Sequence, residues 1–137
     1  MISSIRYESG HPDHPITPGR TVIELDRGGG VRVTYSRLKT TRAWAAQQAP
    51  ALWPAVLAAL DHAKFPAKPP PGVVRADSLT FSVTVDDQSV SLDFCPPYEP
   101  LVRLMAAIVV QTAGKEVLGY DLPGEPRYVT DVREETP

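Results

Sequence analysis

The chain reads as an α+β domain, an antiparallel sheet of five to six strands with two α-helices packed on one face. Three observations predict it. Two stretches alternate apolar and polar residues around tight turns: Thr21 to Arg37, turning at Gly28-Gly29-Gly30, and Leu79 to Phe94, turning at Asp86-Asp87. Such period-two alternation marks a half-buried antiparallel strand. Two other stretches, Ala51 to Lys64 and Tyr98 to Ala113, carry apolar residues at helical spacing instead. Finally, strand pairs joined by short turns and interleaved with helices favour this layout over a parallel sheet.

Taken in order, Ile2 to Glu8 alternates Ile5 and Tyr7 against Arg6 and Glu8 and predicts a first strand. Gly10 to Gly19 is a turn-rich loop. Val22 and Glu24 face one way and Ile23 and Leu25 the other; Val31, Val33 and Tyr35 then share a face opposed by Arg32, Thr34 and Ser36. The three glycines between these strands supply the positive φ of a tight loop. Leu38 to Gln48 is ambiguous: Thr40, Thr41 and Trp44 favour a strand and Ala43, Ala45, Ala46 and Gln47 a helix; a third meander strand reaching Trp44 is the preferred reading, with a helix as the alternative. Pro50-Ala51-Leu52-Trp53-Pro54 opens the first helix, since proline is tolerated in a first turn. Leu52, Val56, Leu57 and Leu60 form its apolar stripe, and Phe65-Pro66 closes it. Ala67 to Ala76 is a proline-rich connector. Leu79, Phe81, Val83 and Val85 then alternate with Thr80, Ser82 and Thr84, and Val90, Leu92 and Phe94 continue the pattern past the turn. The second helix is expected to bury Leu101, Val102, Leu104, Met105, Ile108 and Val109, leaves Arg103 and Gln111 off that face, and stops at Gly114. Residues 1–114 are thus expected as one domain. Residues 115–137 are expected as a C-terminal extension, partly ordered, with a short edge strand at Val117 to Tyr120 and an acidic tail.

Composition narrows the function classes. The 137 residues fit one domain and carry 42% hydrophobic and 22% charged residues, as a soluble globular chain does. A net charge of −2 argues against general nucleic-acid binding. No stretch approaches the roughly 18 apolar residues of a membrane span. The single cysteine, Cys95, fits a reducing compartment, and the first ten residues lack a signal-peptide pattern. The expectation is a cytoplasmic protein. Fifteen prolines punctuate the loops between elements.

Residues that could carry chemistry do not assemble in the sequence. His11, Asp13 and His14 offer metal-type donors on a loop, short of the three or four ligands on rigid elements that a site needs, and His62 lies far along the chain. Cys95 follows a strand with no base in view and reads as a small hydrophobe. Gly28-Gly29-Gly30 lies between strands rather than before a helix, so it is a hairpin loop and not a phosphate cradle. Asp86 and Asp87 belong to a turn and Asp93 to the solvent face. No catalytic residue, metal or cofactor is expected. The aromatic and acidic residues of the tail remain as partner-binding candidates: Tyr120, Asp121, Tyr128, Asp131, Glu134 and Glu135, which would steer a basic partner patch.

One likeness bears on function. A strand meander, the Pro50-Ala51-Leu52-Trp53-Pro54 helix ending in Lys64-Phe65-Pro66, a proline-rich connector and the Leu79-Thr80-Phe81-Ser82-Val83-Thr84-Val85 hairpin follow one another. From about Thr21 to Gly114 this order resembles small bacterial inhibitor and immunity-type proteins, including the emfourin group, which inhibit thermolysin-like metalloproteases. The resemblance implies a protein-binding inhibitor and transfers no inhibitory residue. The expected function is a protein-binding module, an inhibitor or immunity protein that blocks a bacterial toxin or protease by occlusion. The alternatives are a structural or adaptor subunit of a secretion or phage-like assembly, and a small enzyme with a pocket between sheet and helices.

Overall fold

Alternating strands become a sheet only when their apolar faces find a cover, and here two helices supply it. The structure, a computed structural model, describes residues 2–11, 19–67, 80–93, 95–119 and 121–136. Its strands are β1 (Ser4–His11), β2 (Gly19–Asp26), β3 (Gly30–Arg37), β4 (Thr40–Gln48), β5 (Thr80–Val85), β6 (Gln88–Asp93) and β7 (Val129–Glu134). Its helices are α1 (Leu52–Ala63), α2 (Glu99–Ala113) and the single turn α3 (Lys115–Leu118). The strands form one antiparallel sheet in the order β6-β5-β1-β2-β3-β4-β7. β1 is the seam: Ile5 faces Leu25 of β2 on one side and Val85 of β5 on the other.

The expected α+β class holds, and the counts are corrected. Five to six strands and two helices were expected; among the described residues seven strands are present, and a third, one-turn helix joins the two long ones. Val117 belongs to that turn and not to an edge strand. The glycines on either side, Gly114 at φ 97° and Gly119 at φ 93°, confine the segment to one turn. The strand that closes this side of the sheet is β7, Val129–Glu134. The meander strand expected over Leu38 to Gln48 is β4, and it does reach Trp44.

Both crossings of the sheet use the same face. α1 follows β4 before the chain re-enters at β5, and α2 carries it from β6 to the opposite edge. The strand faces beneath them supply Ile5, Tyr7, Ile23, Leu25, Val33, Trp44, Phe81 and Val83, and the helices supply Leu52, Val56, Leu60, Leu101, Met105 and Ile108. Leu57, expected in the α1 stripe, is only half-buried; Ala59 and Ala63 fill the face instead. Tyr98, wholly buried, packs its ring 5.6 Å from Phe81, which lies 5.7 Å from Tyr7. Its hydroxyl donates to the Ala67 carbonyl oxygen at 3.0 Å, so the tyrosine is buried with its polar end satisfied. Burial pushes its pKa up.

Candidate interaction surface

The acidic C-terminal segment is held by the molecule's own basic groups. Tyr128 is buried, and its backbone N–H donates to Gln111 Oε1 at 2.8 Å, while Gln111 Nε2 donates to the Pro126 carbonyl oxygen at 2.7 Å. One glutamine of α2 therefore clamps the chain on both sides of Arg127. Arg103, the other residue expected off the α2 core face, binds Glu125 at 2.6 Å. β7 then pairs with β4, Gln48 opposite Val129 and Trp44 opposite Glu134. Glu134 pairs with Arg42 and accepts from Thr136 Oγ1, and these contacts hold its carboxyl below the usual range. Glu135 lies 3.5 Å from Arg32 and 3.8 Å from Arg133. Asp131 sits at φ 53° where the β4–β7 register shifts, the extra residue of a β-bulge. Asp121 is exposed and accepts from the Leu122 N–H at 2.8 Å. Tyr120 lies outside the described residues. Of the six tail candidates, the structure places Asp131 and Glu134 on the edge strand, Tyr128 just before it, and Glu134 and Glu135 in ion pairs.

Among the described residues, those that could carry metal or nucleophilic chemistry stay apart as well. Asp13 and His14 lie outside the described residues. His62 is exposed on α1. Cys95 is half-buried against the core rather than fully inside it, because it sits at the mouth of the turn into α2. Asp86 takes a left-handed turn at φ 53°, and its Oδ1 accepts the Ser3 and Ser4 N–H groups at 2.9 Å. Asp93 accepts from Thr80 Oγ1 at 3.0 Å on the open face of the sheet. Among the described residues, no three His, Cys, Asp or Glu side chains gather as metal ligands would.

A different place stands out on geometry. Arg37 pairs with Thr40, so β3 and β4 are joined by a two-residue turn, Leu38-Lys39. Such turns select glycine, asparagine or aspartate, because the chain must pass through positive φ. The β2–β3 turn follows that rule with Gly29 at φ 106°. The β3–β4 turn breaks it with Leu38 at φ 54°. A left-handed L-residue costs roughly 1–2 kcal/mol. The other non-glycine residues with positive φ each have a local task. Lys64 ends α1, its N–H bonded to Asp61 and Leu60 carbonyls; Asp86 ties down the N-terminal segment; Asp131 makes the bulge. Leu38 has no such task. It is 61% exposed, the most exposed large hydrophobic residue among those described.

The flanks of this turn are cationic. Arg37, Lys39 and Arg42 are exposed, and among the described residues neither Arg37 nor Lys39 forms an ion pair. Below them the Arg42 guanidinium lies 4.8 Å from the centre of the Trp44 ring while it holds Glu134. That stacking and pairing stiffen the base of the hairpin. The result is an apolar tip between two unpaired cations on a braced two-stranded stalk. It fits an apolar pocket rimmed by carboxylates, the opposite charge sense to the acidic tail read from the sequence. A signal for it does exist there: once Leu38 to Gln48 is a meander strand, the turn falls on Arg37-Leu38-Lys39-Thr40, and nothing in those four residues is a turn former.

Among the described residues no helix is long and apolar enough to cross a membrane. No protein-family model, curated protein or solved structure matches the chain.

Proposed function

We propose that this chain is a protein-binding module, an inhibitor or immunity protein that blocks a bacterial toxin or protease by occlusion, and that the Leu38 tip is its anchor. The observation that carries this is an exposed leucine kept in a left-handed turn where glycine would be cheaper. Side chains held in sparsely populated conformations concentrate at functional positions. The likeness in element order to inhibitor and immunity-type proteins supports the same class. Occlusion asks only for complementarity: Leu38 enters the partner's pocket, and Arg37 and Lys39 meet its acidic rim and raise the encounter rate.

Burying a leucine side chain is worth about 1.5–3 kcal/mol, or roughly 10- to 100-fold in affinity. The test is capture of a partner by the full chain, followed by titration with Leu38→Gly and with Arg37→Glu/Lys39→Glu. A stoichiometric hydrolase or toxin, inhibited by the wild type and bound roughly 10- to 100-fold more weakly by Leu38→Gly, is expected. Equal binding by wild type and Leu38→Gly, at equal melting temperature, would overturn the tip as the anchor.

A further inference from the structure

We infer that β6 is a self-pairing edge, through which two copies of this chain join their sheets about a two-fold axis at Ser91. This goes beyond the proposed function and does not depend on it.

The two edges of the sheet are built differently. β7 is blunted: it carries the Asp131 bulge, and Asp131, Arg133 and Glu134 put charges along it. β6, Gln88-Ser89-Val90-Ser91-Leu92-Asp93, pairs with β5 without a register shift and holds one charge, at its end, and neither lysine nor proline. Its backbone orientation follows from the hairpin. Val85 and Gln88 close a two-residue turn, so they exchange backbone hydrogen bonds, and pairs then alternate between bonded and unbonded. Thr84–Ser89 and Ser82–Ser91 are unbonded pairs, where side chains approach most closely. Their hydroxyls accordingly meet at 2.9 Å in both pairs. The N–H and C=O groups of Ser89, Ser91 and Asp93 therefore point away from β5, along an edge that no other strand pairs among the described residues. All three residues are exposed.

The occupant is argued from register. A two-fold axis perpendicular to the sheet keeps the faces in common, so it must pass through a residue position. With the axis at Ser91, Ser91 meets Ser91 of the second copy, Ser89 meets Asp93, and Val90 meets Leu92. The open face then gains a hydroxyl–carboxylate contact at each side and continues the Thr–Ser ladder of β5 and β6. The core face gains an apolar pair that covers the half-buried Leu92. No like charges oppose. With the axis moved to Val90, Asp93 would face Asp87 of the second copy, and that register is repelled. The paired segment makes about six backbone hydrogen bonds. It is short, so the association is reversible and concentration-dependent. Rotation about this axis sends the two Leu38 tips to opposite ends of the joined sheet.

Sedimentation velocity over a concentration series tests this, with Ser91→Lys, Ser91→Pro and Leu38→Gly alongside. Ser91 is exposed and its N–H faces away from β5, so both Ser91 substitutions leave the monomer folded, which thermal melting checks. The wild type and Leu38→Gly dimerise as concentration rises, and both Ser91 variants weaken the dimer at least tenfold. In a Cys95→Ala background, Ser91→Cys oxidises to a covalent dimer and Ser89→Cys does not, because only position 91 faces itself at disulfide distance. A wild type that stays monomeric, a dimer that Ser91→Lys leaves intact, or a covalent dimer through position 89 alone overturns the inference. Loss of the dimer through Ser91→Lys with partner binding retained would separate this contact from the tip.

Discussion

Leu38 and Gln111 define opposite uses of a single residue in this molecule. Leu38 spends stability on exposure. Replacing it with glycine removes a left-handed cost of roughly 1–2 kcal/mol and adds an unfolded-chain entropy of roughly 0.5–1 kcal/mol. Leu38→Gly is therefore expected to leave stability unchanged or raise it by up to about 1.5 kcal/mol, read from urea unfolding midpoints. A clear loss of stability would mean that the side chain has an internal role. Gln111 does the reverse, holding two backbone groups of the C-terminal segment from one half-buried amide. Gln111→Ala leaves the Tyr128 N–H and the Pro126 carbonyl without that partner, at a cost of about 1–3 kcal/mol. Carboxylates set the pH response. Glu8 is lowered first by its hydrogen bond from Arg20, Asp86 by the Ser3 N–H and Glu134 by Arg42. Each folded pKa lies below its unfolded value. The stabilisation is thus complete above the ordinary carboxylate range and is lost as pH falls through the folded values. Unfolding midpoints should hold steady from neutral pH down to that range and then drop. Midpoints that rise with acid in that window would contradict the assignment.

At the scale of elements, β7 is the informative case. Val129 is wholly buried against the sheet while Val132 is 39% exposed. A chain ending at Arg127 would lose the β4–β7 ladder, the Val129 contact and the cover over Trp44, and is expected to melt well below the full chain. If it melts alike, β7 is an ornament rather than part of the fold. Any loss of binding on truncating this segment must be read against that loss of stability. β7 also shows where the sequence stops being legible. Strict alternation made β2, β3, β5 and β6 plain, with turns at glycine or aspartate to separate them. The bulge at Asp131 breaks the alternation of Val129-Thr130-Asp131-Val132, so the sequence predicts a tail there and an edge strand at Val117 instead. The clamp from Gln111 is equally invisible, because it joins positions that only the return of α2 across the sheet brings together. The Leu38 tip is hidden for another reason: its signal is a violation of turn chemistry, which has meaning only where strands flank it on both sides.

The whole molecule is a sheet assembled from two local pieces and one long-range join. β2, β3 and β4 form a meander with short turns, and β5 and β6 form a hairpin. β1 connects them, pairing with β2 and, far along the chain, with β5. Ile5 is almost wholly buried at that seam, between Leu25 and Val85, and Tyr7 lies between Ile23 and Val83. Joining distant segments carries loop-closure entropy that the local turns do not. The seam is thus where the sheet divides when it opens in part. Ile5→Ala is expected to lower global stability by about 2–5 kcal/mol. It should also do so unevenly. β5 and β6 are held to the rest of the sheet only through β1, whereas β3 lies between β2 and β4 and keeps both neighbours. Native-state hydrogen exchange should therefore show protection at Val83 and Val90 falling further than at Val31 and Val33. The aromatic contacts of Phe81 with Tyr98 act against this, tying β5 to the turn before α2. An equal fall across all four sites would show that these contacts suffice to make the sheet one cooperative unit. A larger fall on the β5–β6 side would place the weak joint at β1, and would explain why a self-pairing edge on β6 could stiffen the half of the sheet that most lacks neighbours.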